Sequence, residues 1–209
     1  MTEVPKTRWE LGAEQNSGSG GYGAHFSELI ESGADIEGEA RLADALLGRN
    51  ARVLDAGAGI GRIGGALQAR GHDVLAVEKD RELIALAARF YPDLPMVGSD
   101  ILALSRDLLD EAGHSADFDL IVLVGNVIVL AAPETEQRML ATLRDLLAES
   151  GRILVGFHPV RVHGNARDYP FEDFAADVEA AGLEVQHRFG TYELGPPAED
   201  YVVAVLTRA

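Results

Sequence analysis

The sequence contains no cysteine among its 209 residues. This absence excludes a disulfide scaffold, a thiolate-bound zinc or iron–sulfur site and a cysteine nucleophile. A chain of this length does not need such links, because folding can bury about 70% of the surface that the unfolded chain exposes. We therefore expect one main domain, over residues 37–209, and we predict a cytoplasmic location, which the lack of cysteine permits.

Basic residues are also scarce. Lys and Arg number 18 against 34 Asp and Glu, which gives a formal net charge of −16. Binding to nucleic acid or to an anionic membrane depends largely on Lys and Arg placed near phosphate groups. The charge therefore argues against both partners and favours a small-molecule substrate. A simpler explanation of the same acidity is that it keeps the protein soluble.

Long apolar runs are missing. The longest run, residues 120–124, resumes over residues 127–132 after Gly125 and Asn126. Both pieces are too short for a membrane-spanning helix, which needs about 20 residues. The first residues also lack the basic segment and apolar core of a secretory signal. We therefore expect a soluble protein with no membrane partner.

The start of the chain differs in composition from the rest. Residues 16–23 read NSGSGGYG, and a stretch so rich in Gly and Ser predicts a flexible chain. Tyr22, His25 and Phe26 at its end would suit a lid that orders over a bound ligand. The alternative is a disordered tail whose aromatic side chains insert into the core. We predict that residues 1–36 form a flexible arm that acts as a lid.

Beyond the arm, apolar runs alternate with segments of helical periodicity. Strands are predicted over residues 52–55, 73–78, 95–98, 118–124 and 151–157. Helices are predicted over residues 37–47, 61–70, 81–90, 134–147 and 171–181. Continuous apolar strands separated by helices predict a mainly parallel α/β sheet with helices on both faces. Residues 183–189 and 201–208 are two further strand-like runs without a helix between them, so they must pair antiparallel or lie apart.

The strongest motif lies at the end of the first predicted strand, where residues 53–61 read VLDAGAGIG. Three glycines alternate with other residues, at Gly57, Gly59 and Gly61, and a predicted helix follows. Glycines permit a sharp turn and let a ligand approach the backbone closely. The N–H groups at the start of the helix attract an anionic group. The motif therefore predicts a site for a nucleoside-containing cofactor.

Two acidic residues support this interpretation. Glu78 ends the second strand, 21 residues after Gly57, where a carboxylate can accept both hydroxyls of a ribose. Asp100 follows the third strand and can accept a hydrogen bond from an adenine amino group, while Ile101 packs on the ring. The structural alternatives are that Glu78 is a surface acid beside Lys79 and that Asp100 only caps the segment after it.

The glycine pattern alone leaves the cofactor open. Residues 59–64, GIGRIG, also match the dinucleotide pattern G-x-G-x-x-G, which would make the protein an NAD-dependent oxidoreductase that uses Gly59, Gly61 and Gly64. Asp55 argues against this alternative, because its charge would face a pyrophosphate, whereas it would favour the amino group of a methionine moiety. A module that binds a nucleoside cofactor without catalysis is a further alternative.

Residues 55–61, DAGAGIG, resemble the first motif of the class I S-adenosylmethionine-dependent methyltransferases. Glu78 resembles their ribose-binding acid, and Asp100 resembles their adenine-contacting acid. Gly-Asn-Val at residues 125–127 resembles their motif after the fourth strand, and it departs from the Asn/Asp-Pro-Pro-Tyr/Phe signature of the enzymes that methylate amino groups of nucleic acids. The resemblance covers about residues 37–207. It implies a Rossmann-like, seven-stranded, mostly parallel sheet with an antiparallel last strand.

The resemblance also implies S-adenosylmethionine as the cofactor and methyl transfer to a small-molecule acceptor. The cofactor-binding residues that we expect are Asp55, Gly57, Ala58, Gly59, Gly61, Glu78, Lys79, Asp100, Ile101 and Gly125. Methyl transfer depends mainly on alignment of the reactants, and a base is needed only for a weakly nucleophilic acceptor. Asn126 and His158, which follow the fourth and fifth strands, are the candidate catalytic residues. His158 and His163 lack a carboxylate pattern between them, so we predict no metal site.

Overall fold

The computed structural model describes residues 4–16, 20–161 and 164–209. In these residues the apolar runs form one seven-stranded sheet with the strand order β3-β2-β1-β4-β5-β7-β6. Its strands are β1 (Arg52–Ala56), β2 (Asp73–Glu78), β3 (Met96–Gly98), β4 (Phe118–Leu123), β5 (Leu147–Phe157), β6 (Leu183–Phe189) and β7 (Val202–Arg208). The predicted Rossmann-like, seven-stranded α/β fold is confirmed.

Strand direction follows from the connections between strands. Strands β1 to β5 pair parallel with one another, because a helix or a longer crossover joins each to the next. Strand β7 pairs antiparallel with both β5 and β6. Of the two arrangements expected for the last two strand-like runs, antiparallel pairing or separate positions, the structure shows antiparallel pairing.

Helices cover both faces of the sheet. The α-helices within the described residues are α1 (Arg8–Asn16), α2 (Gly20–Glu31), α3 (Gly38–Ala45), α4 (Arg62–Ala69), α5 (Arg81–Phe90), α6 (Arg106–Glu111), α7 (Glu136–Leu146) and α8 (Phe171–Ala180). Side chains alternate between the faces along a strand, so Leu54 of β1 packs in one cluster with α7, while its neighbour Val53 packs in the other with α4. None of the helices in the described part of the chain has the length and apolar character to cross a membrane.

The secondary structure differs from expectation in the first 36 residues. Residues 20–23 lie in α2 and not in a flexible stretch. Packing explains the difference, because the position that a Cβ of Gly23 would take lies 2.6 Å from Leu86 of α5, and Glu31 pairs with Arg89 at 2.7 Å. Residues 17–19 of the predicted flexible stretch lie outside the described residues. The division of the chain at residue 36 stays a prediction.

Two smaller differences lie in the second half of the chain. Helix α6 was not predicted, because its sequence has no strong apolar periodicity. The Ser105 hydroxyl accepts the N–H of Leu108 and caps its first turn. Strand β5 begins at Leu147, four residues before the predicted start, and its pairing with β4 is irregular near Phe118.

The order of the strands determines where the site lies. Strand β1 is adjacent to both β2 and β4, so the chain leaves β1 toward one edge of the sheet and later returns to fill the other. In open parallel sheets, ligands bind in the crevice outside the carboxyl ends of the strands at such a switch point. The glycine motif after β1 and the turn after β4 both lie there.

Candidate active site

The glycine loop between β1 and α4 approaches the neighbouring strands closely. The N–H groups of Gly57 and Ala58 both donate to the carbonyl oxygen of Val77 in β2, at 2.9 and 3.0 Å. Gly57 has φ +78°, and a Cβ there would lie 2.7 Å from Cγ2 of Val127. Any other residue would be strained at this φ and would also clash with Val127. The structure therefore requires glycine at residue 57 for two independent reasons, the positive φ and the lack of space for a Cβ.

Asp55 lies at the carboxyl end of β1, and its side chain is buried. One carboxylate oxygen, Oδ2, accepts the N–H of Gly64 in the first turn of α4 at 2.8 Å. Burial raises the pKa of Asp55 to about 7, against the opposing effects of that N–H and of the Arg62 guanidinium. A cationic group beside Asp55 would favour its ionised form.

Glu78, at the end of β2, binds backbone N–H groups with both oxygens. Oε2 accepts the N–H of Gly59 at 2.9 Å, and Oε1 accepts those of Lys79 and Asp80 at 2.8 Å each. A carboxylate has about four acceptor positions, so these three bonds leave one on Oε2. Burial raises the pKa of Glu78, and the three N–H groups oppose that shift. The geometry thus holds the glycine loop against β2 and leaves Glu78 able to accept one further hydroxyl.

Asp100 and Lys79 form the opposite wall. Asp100 Oδ1 accepts the N–H of Leu102 and caps a short 3₁₀ turn, Ile101–Ala103, at 2.8 Å. Its other oxygen pairs with Lys79 Nζ at 2.7 Å, and the same ammonium pairs with Glu10 Oε2 of α1 at 2.7 Å. Asp100 therefore caps the next segment and also joins an ion pair that reaches the amino-terminal arm.

A cavity of about 760 Å³ lies between these groups and the amino-terminal helices. The candidate cofactor-binding residues that line it are Asp55, Gly57, Ala58, Gly59, Glu78, Lys79, Asp100, Ile101 and Gly125. Gly61 is not among them: it precedes α4 with φ +79°, and a Cβ there would lie 2.9 Å from Leu94. Gly61 therefore contributes to the turn and to the packing of α4.

The two candidate catalytic residues contact each other. Asn126, with φ +72°, directs its side-chain oxygen at the backbone N–H of His158 (2.9 Å) and at its ring Nδ1 (3.1 Å). Because a backbone N–H only donates, the Asn126 atom that faces it is the oxygen, and Nδ1 of a neutral His158 ring then carries the proton. Asn126 lines the cavity, whereas His158 lines an adjoining groove of about 570 Å³. His163 lies outside the described residues.

Residues 53–151 match the family model described as a methyltransferase domain. A solved TehB-like SAM-dependent methyltransferase from Corynebacterium glutamicum is 36% identical, with 90% of this chain and 97% of that chain covered and a TM-score of 0.78. The chain belongs to the class I S-adenosylmethionine-dependent methyltransferases. A 1,6-didemethyltoxoflavin-N1-methyltransferase from Burkholderia thailandensis (24% identity, 90% and 87% covered, TM-score 0.62) and the CcbJ methyltransferase from Streptomyces caelestis (18%, 82% and 88%, 0.69) share the fold. Among curated proteins, no sequence matches significantly.

The site residues of this methyltransferase fit its cofactor, S-adenosylmethionine. The cradle at Gly57 and Gly59 would be filled by any Cβ, Asp55 suits a cationic amino group, and Glu78 retains an acceptor position for a ribose hydroxyl. The dinucleotide alternative is wrong, as family membership shows. The geometry agrees, because the Asp55 carboxylate occupies the N–H of Gly64 in the turn where a pyrophosphate would bind.

The amino-terminal arm of the methyltransferase covers the glycine loop. Trp9 Nε1 donates to Asp80 Oδ2 at 3.2 Å, and the Tyr22 ring packs on Gly59. The aromatic residues near the Gly/Ser stretch were the sequence signal for this contact. Arg62 was missed, although an arginine directly after an apolar glycine motif is itself a signal, since a buried cation needs partners.

Proposed function

We propose that this methyltransferase transfers the methyl group of S-adenosylmethionine to a small-molecule acceptor, mainly by holding the two reactants in line. The observation that carries the proposal is the extent of the cavity. It continues beyond the glycine loop to Asn126 and to the apolar side chains of Val127, Leu130 and Met139. The net charge of −16 supports a small molecule over a nucleic acid.

The residues of the cleft divide the binding task. S-adenosylmethionine supplies a methyl group that its sulfonium already activates. In our proposal Asp55 binds the amino group of the methionyl tail, and Glu78 accepts one ribose hydroxyl. Asp100 and Ile101 border the adenine, and Gly125 borders the junction with the acceptor. Alignment of bound groups lowers the barrier without any further chemical group on the protein.

Asn126 and His158 have a second role in the proposal. Asn126 fixes the ring of His158 through Nδ1, which places the lone pair of a neutral ring on Nε2. The ring also packs edge-on against Tyr201, with 4.7 Å between centroids. We assign Asn126 as the positioning residue and His158 as the base for an acceptor that must lose a proton.

We also propose that residues 1–36 act as a lid over the cofactor. Three contacts between the arm and the cleft support this role: Trp9 with Asp80, Glu10 with Lys79, and Tyr22 with Gly59. A lid of this kind excludes water and must open for exchange of the cofactor.

Ligand-dependent thermal unfolding tests the cofactor site. S-adenosylhomocysteine at 100 times its dissociation constant is expected to stabilise the protein by about 2.7 kcal/mol, and NAD is expected to have no effect. Glu78→Ala is expected to weaken S-adenosylhomocysteine binding while circular dichroism shows a folded protein. Glu179→Ala, at an exposed acid of α8, is the matched control. Stabilisation by NAD alone, or unchanged affinity in Glu78→Ala, would contradict the assignment.

An acceptor screen tests the transfer itself. The purified chain is incubated with S-adenosylmethionine and a library of small molecules, and release of S-adenosylhomocysteine is measured. Release that depends on one class of acceptor, and that falls at least tenfold in Asn126→Ala, would support the proposal. Release only with nucleic acid would overturn the small-molecule part of it.

A further inference from the structure

The arm places one tyrosine hydroxyl directly on the glycine loop. The hydroxyl oxygen and Cε1 of Tyr22 lie 3.3 Å from the position that a Cβ of Gly59 would take. Two aromatic neighbours hold the ring: Trp9 packs edge-on with 5.6 Å between centroids, and Phe26 packs at 4.7 Å. The position of the hydroxyl is therefore determined by packing on both sides of the ring.

A buried guanidinium, that of Arg62, lines the same cavity as this hydroxyl. Arg62, the first residue of α4, forms a two-point ion pair with Glu39, donates to the carbonyl oxygen of Ile36 at 2.7 Å and stacks over the Phe26 ring with 5.0 Å to its centroid. The same Phe26 ring packs on Tyr22, with 4.7 Å between centroids, so the guanidinium and Tyr22 share a neighbour. The contacts to Glu39, Ile36 and Phe26 hold the guanidinium in place, and its charge acts on the Tyr22 hydroxyl.

The chemistry of the two groups determines what Tyr22 can offer a ligand. A guanidinium only donates, so Arg62 cannot accept the hydroxyl proton of Tyr22, and that proton is left to donate to another atom. Burial raises the pKa of Tyr22, against the opposing charge of Arg62, so the hydroxyl keeps its proton at neutral pH. Tyr22 and Arg62 both line the cavity. Together they present a donor with a positive charge behind it.

The charges at this end of the cavity are thus of two signs. The Asp55 carboxylate lies at the base of the glycine loop, and the Tyr22–Arg62 pair lies against Gly59 on the arm side. An α-amino acid group carries an ammonium and a carboxylate on one carbon. Asp55 and Tyr22 both border the glycine loop and line one cavity, so together they offer an acceptor for the ammonium and a donor for the carboxylate.

We propose that the Tyr22 hydroxyl, supported by Arg62, binds the α-carboxylate of the methionyl tail of the cofactor, opposite Asp55. Tyr22 is then a binding residue of the cofactor site, and Arg62 is a positioning residue that acts through it. The arm would close on the ligand through this bond and not through aromatic packing alone. The proposal rests on S-adenosylmethionine as the cofactor and is independent of the acceptor.

The test compares two ligands that differ only in the carboxylate. Dissociation constants are measured by calorimetry for S-adenosylhomocysteine and for its decarboxylated analogue, 5′-(3-aminopropylthio)-5′-deoxyadenosine. Tyr22→Phe removes the hydroxyl and keeps the ring. It is expected to weaken S-adenosylhomocysteine binding roughly 10- to 100-fold, the range for a hydrogen bond to a charged group, and to change binding of the analogue less than about twofold.

Tyr91→Phe is the matched control, because Tyr91 is a half-buried tyrosine near the glycine loop that packs on Gly61 and Gly65. It is expected to leave the ratio of the two constants unchanged. An equal loss for both ligands in Tyr22→Phe would overturn the proposal, since it would show that Tyr22 acts through packing. Unchanged binding of both would overturn it as well. Failure of the unmodified chain to bind S-adenosylhomocysteine would instead overturn the cofactor assignment, and this proposal with it.

Discussion

The two ends of the cavity are built in different ways. At the glycine loop, Asp55 and Glu78 bind backbone N–H groups, so the positions of β1, β2 and α4 determine the site. At the other end, the Asn126 side chain binds His158, and the apolar side chains of Val127, Leu130 and Met139 complete the wall. The backbone therefore determines the structure of the first end. Side chains from segments that are far apart in the sequence determine the structure of the second. Variants should therefore fail differently at the two ends.

The largest effect is expected at Gly57. Gly57→Ala forces an L-residue into φ +78°, which costs roughly 1–2 kcal/mol, and adds a Cβ at 2.7 Å from Val127. We expect loss of stability in urea unfolding and at least about a tenfold loss of S-adenosylhomocysteine affinity. Adding Val127→Ala should restore the stability that is lost through the clash. The loss that is caused by the positive φ should remain. Gly48→Ala, where nothing lies within 4 Å, is the control. If Gly57→Ala changed neither the stability nor the affinity, the loop would not be rigid.

The same contrast explains what the sequence could predict. Asp55, Gly57 and Glu78 were placed correctly at strand ends, because the motif, the next strand and their register lie within one short stretch of chain. The sequence places Tyr22 in a possible lid, but its contact with Gly59 could not be predicted, since it depends on how α2 packs on α5. A Gly-rich stretch reads as flexible by local propensity, and tertiary packing at Gly23 overrode that preference. Asn126 and His158 were singled out separately, but their hydrogen bond needs the β4–β5 pairing.

A smaller effect concerns pH at the backbone-built end. The pKa of Asp55 is raised to about 7 from 3.8, so the folded chain holds a proton that the unfolded chain has lost between these values. The contribution of Asp55 to the free energy of unfolding of the ligand-free protein is therefore greatest below pH 4. It falls as the pH rises toward 7, by at most about 1.4 kcal/mol per pH unit. The ammonium of S-adenosylhomocysteine favours ionised Asp55, so its affinity should rise over the same range.

Calorimetry in buffers of different ionisation enthalpy measures this linkage. We expect release of close to one proton from the protein on binding S-adenosylhomocysteine at pH 6 and almost none at pH 8.5. Glu78, whose pKa burial also raises, contributes to the same titration. Asp55→Asn keeps an oxygen for the N–H of Gly64, and it should remove the part of the proton release that belongs to Asp55. Proton release that is equal in the two proteins would rule out Asp55 as the source.

The smallest effect is expected where the arm meets the cleft. Lys79→Met removes the ammonium that pairs with both Glu10 and Asp100 and leaves their carboxylates near each other. Because the three side chains are partly exposed, the loss should be no more than about 1 kcal/mol and should shrink in high salt. Hydrogen exchange should therefore rise about fivefold in α1 and stay unchanged in β1. Arg41→Met, which removes an exposed pair with Asp35, should leave α1 exchange unchanged. Faster exchange in β1 as well would mean that the arm stabilises the whole domain, because a side-chain contact to a lid should loosen only the lid.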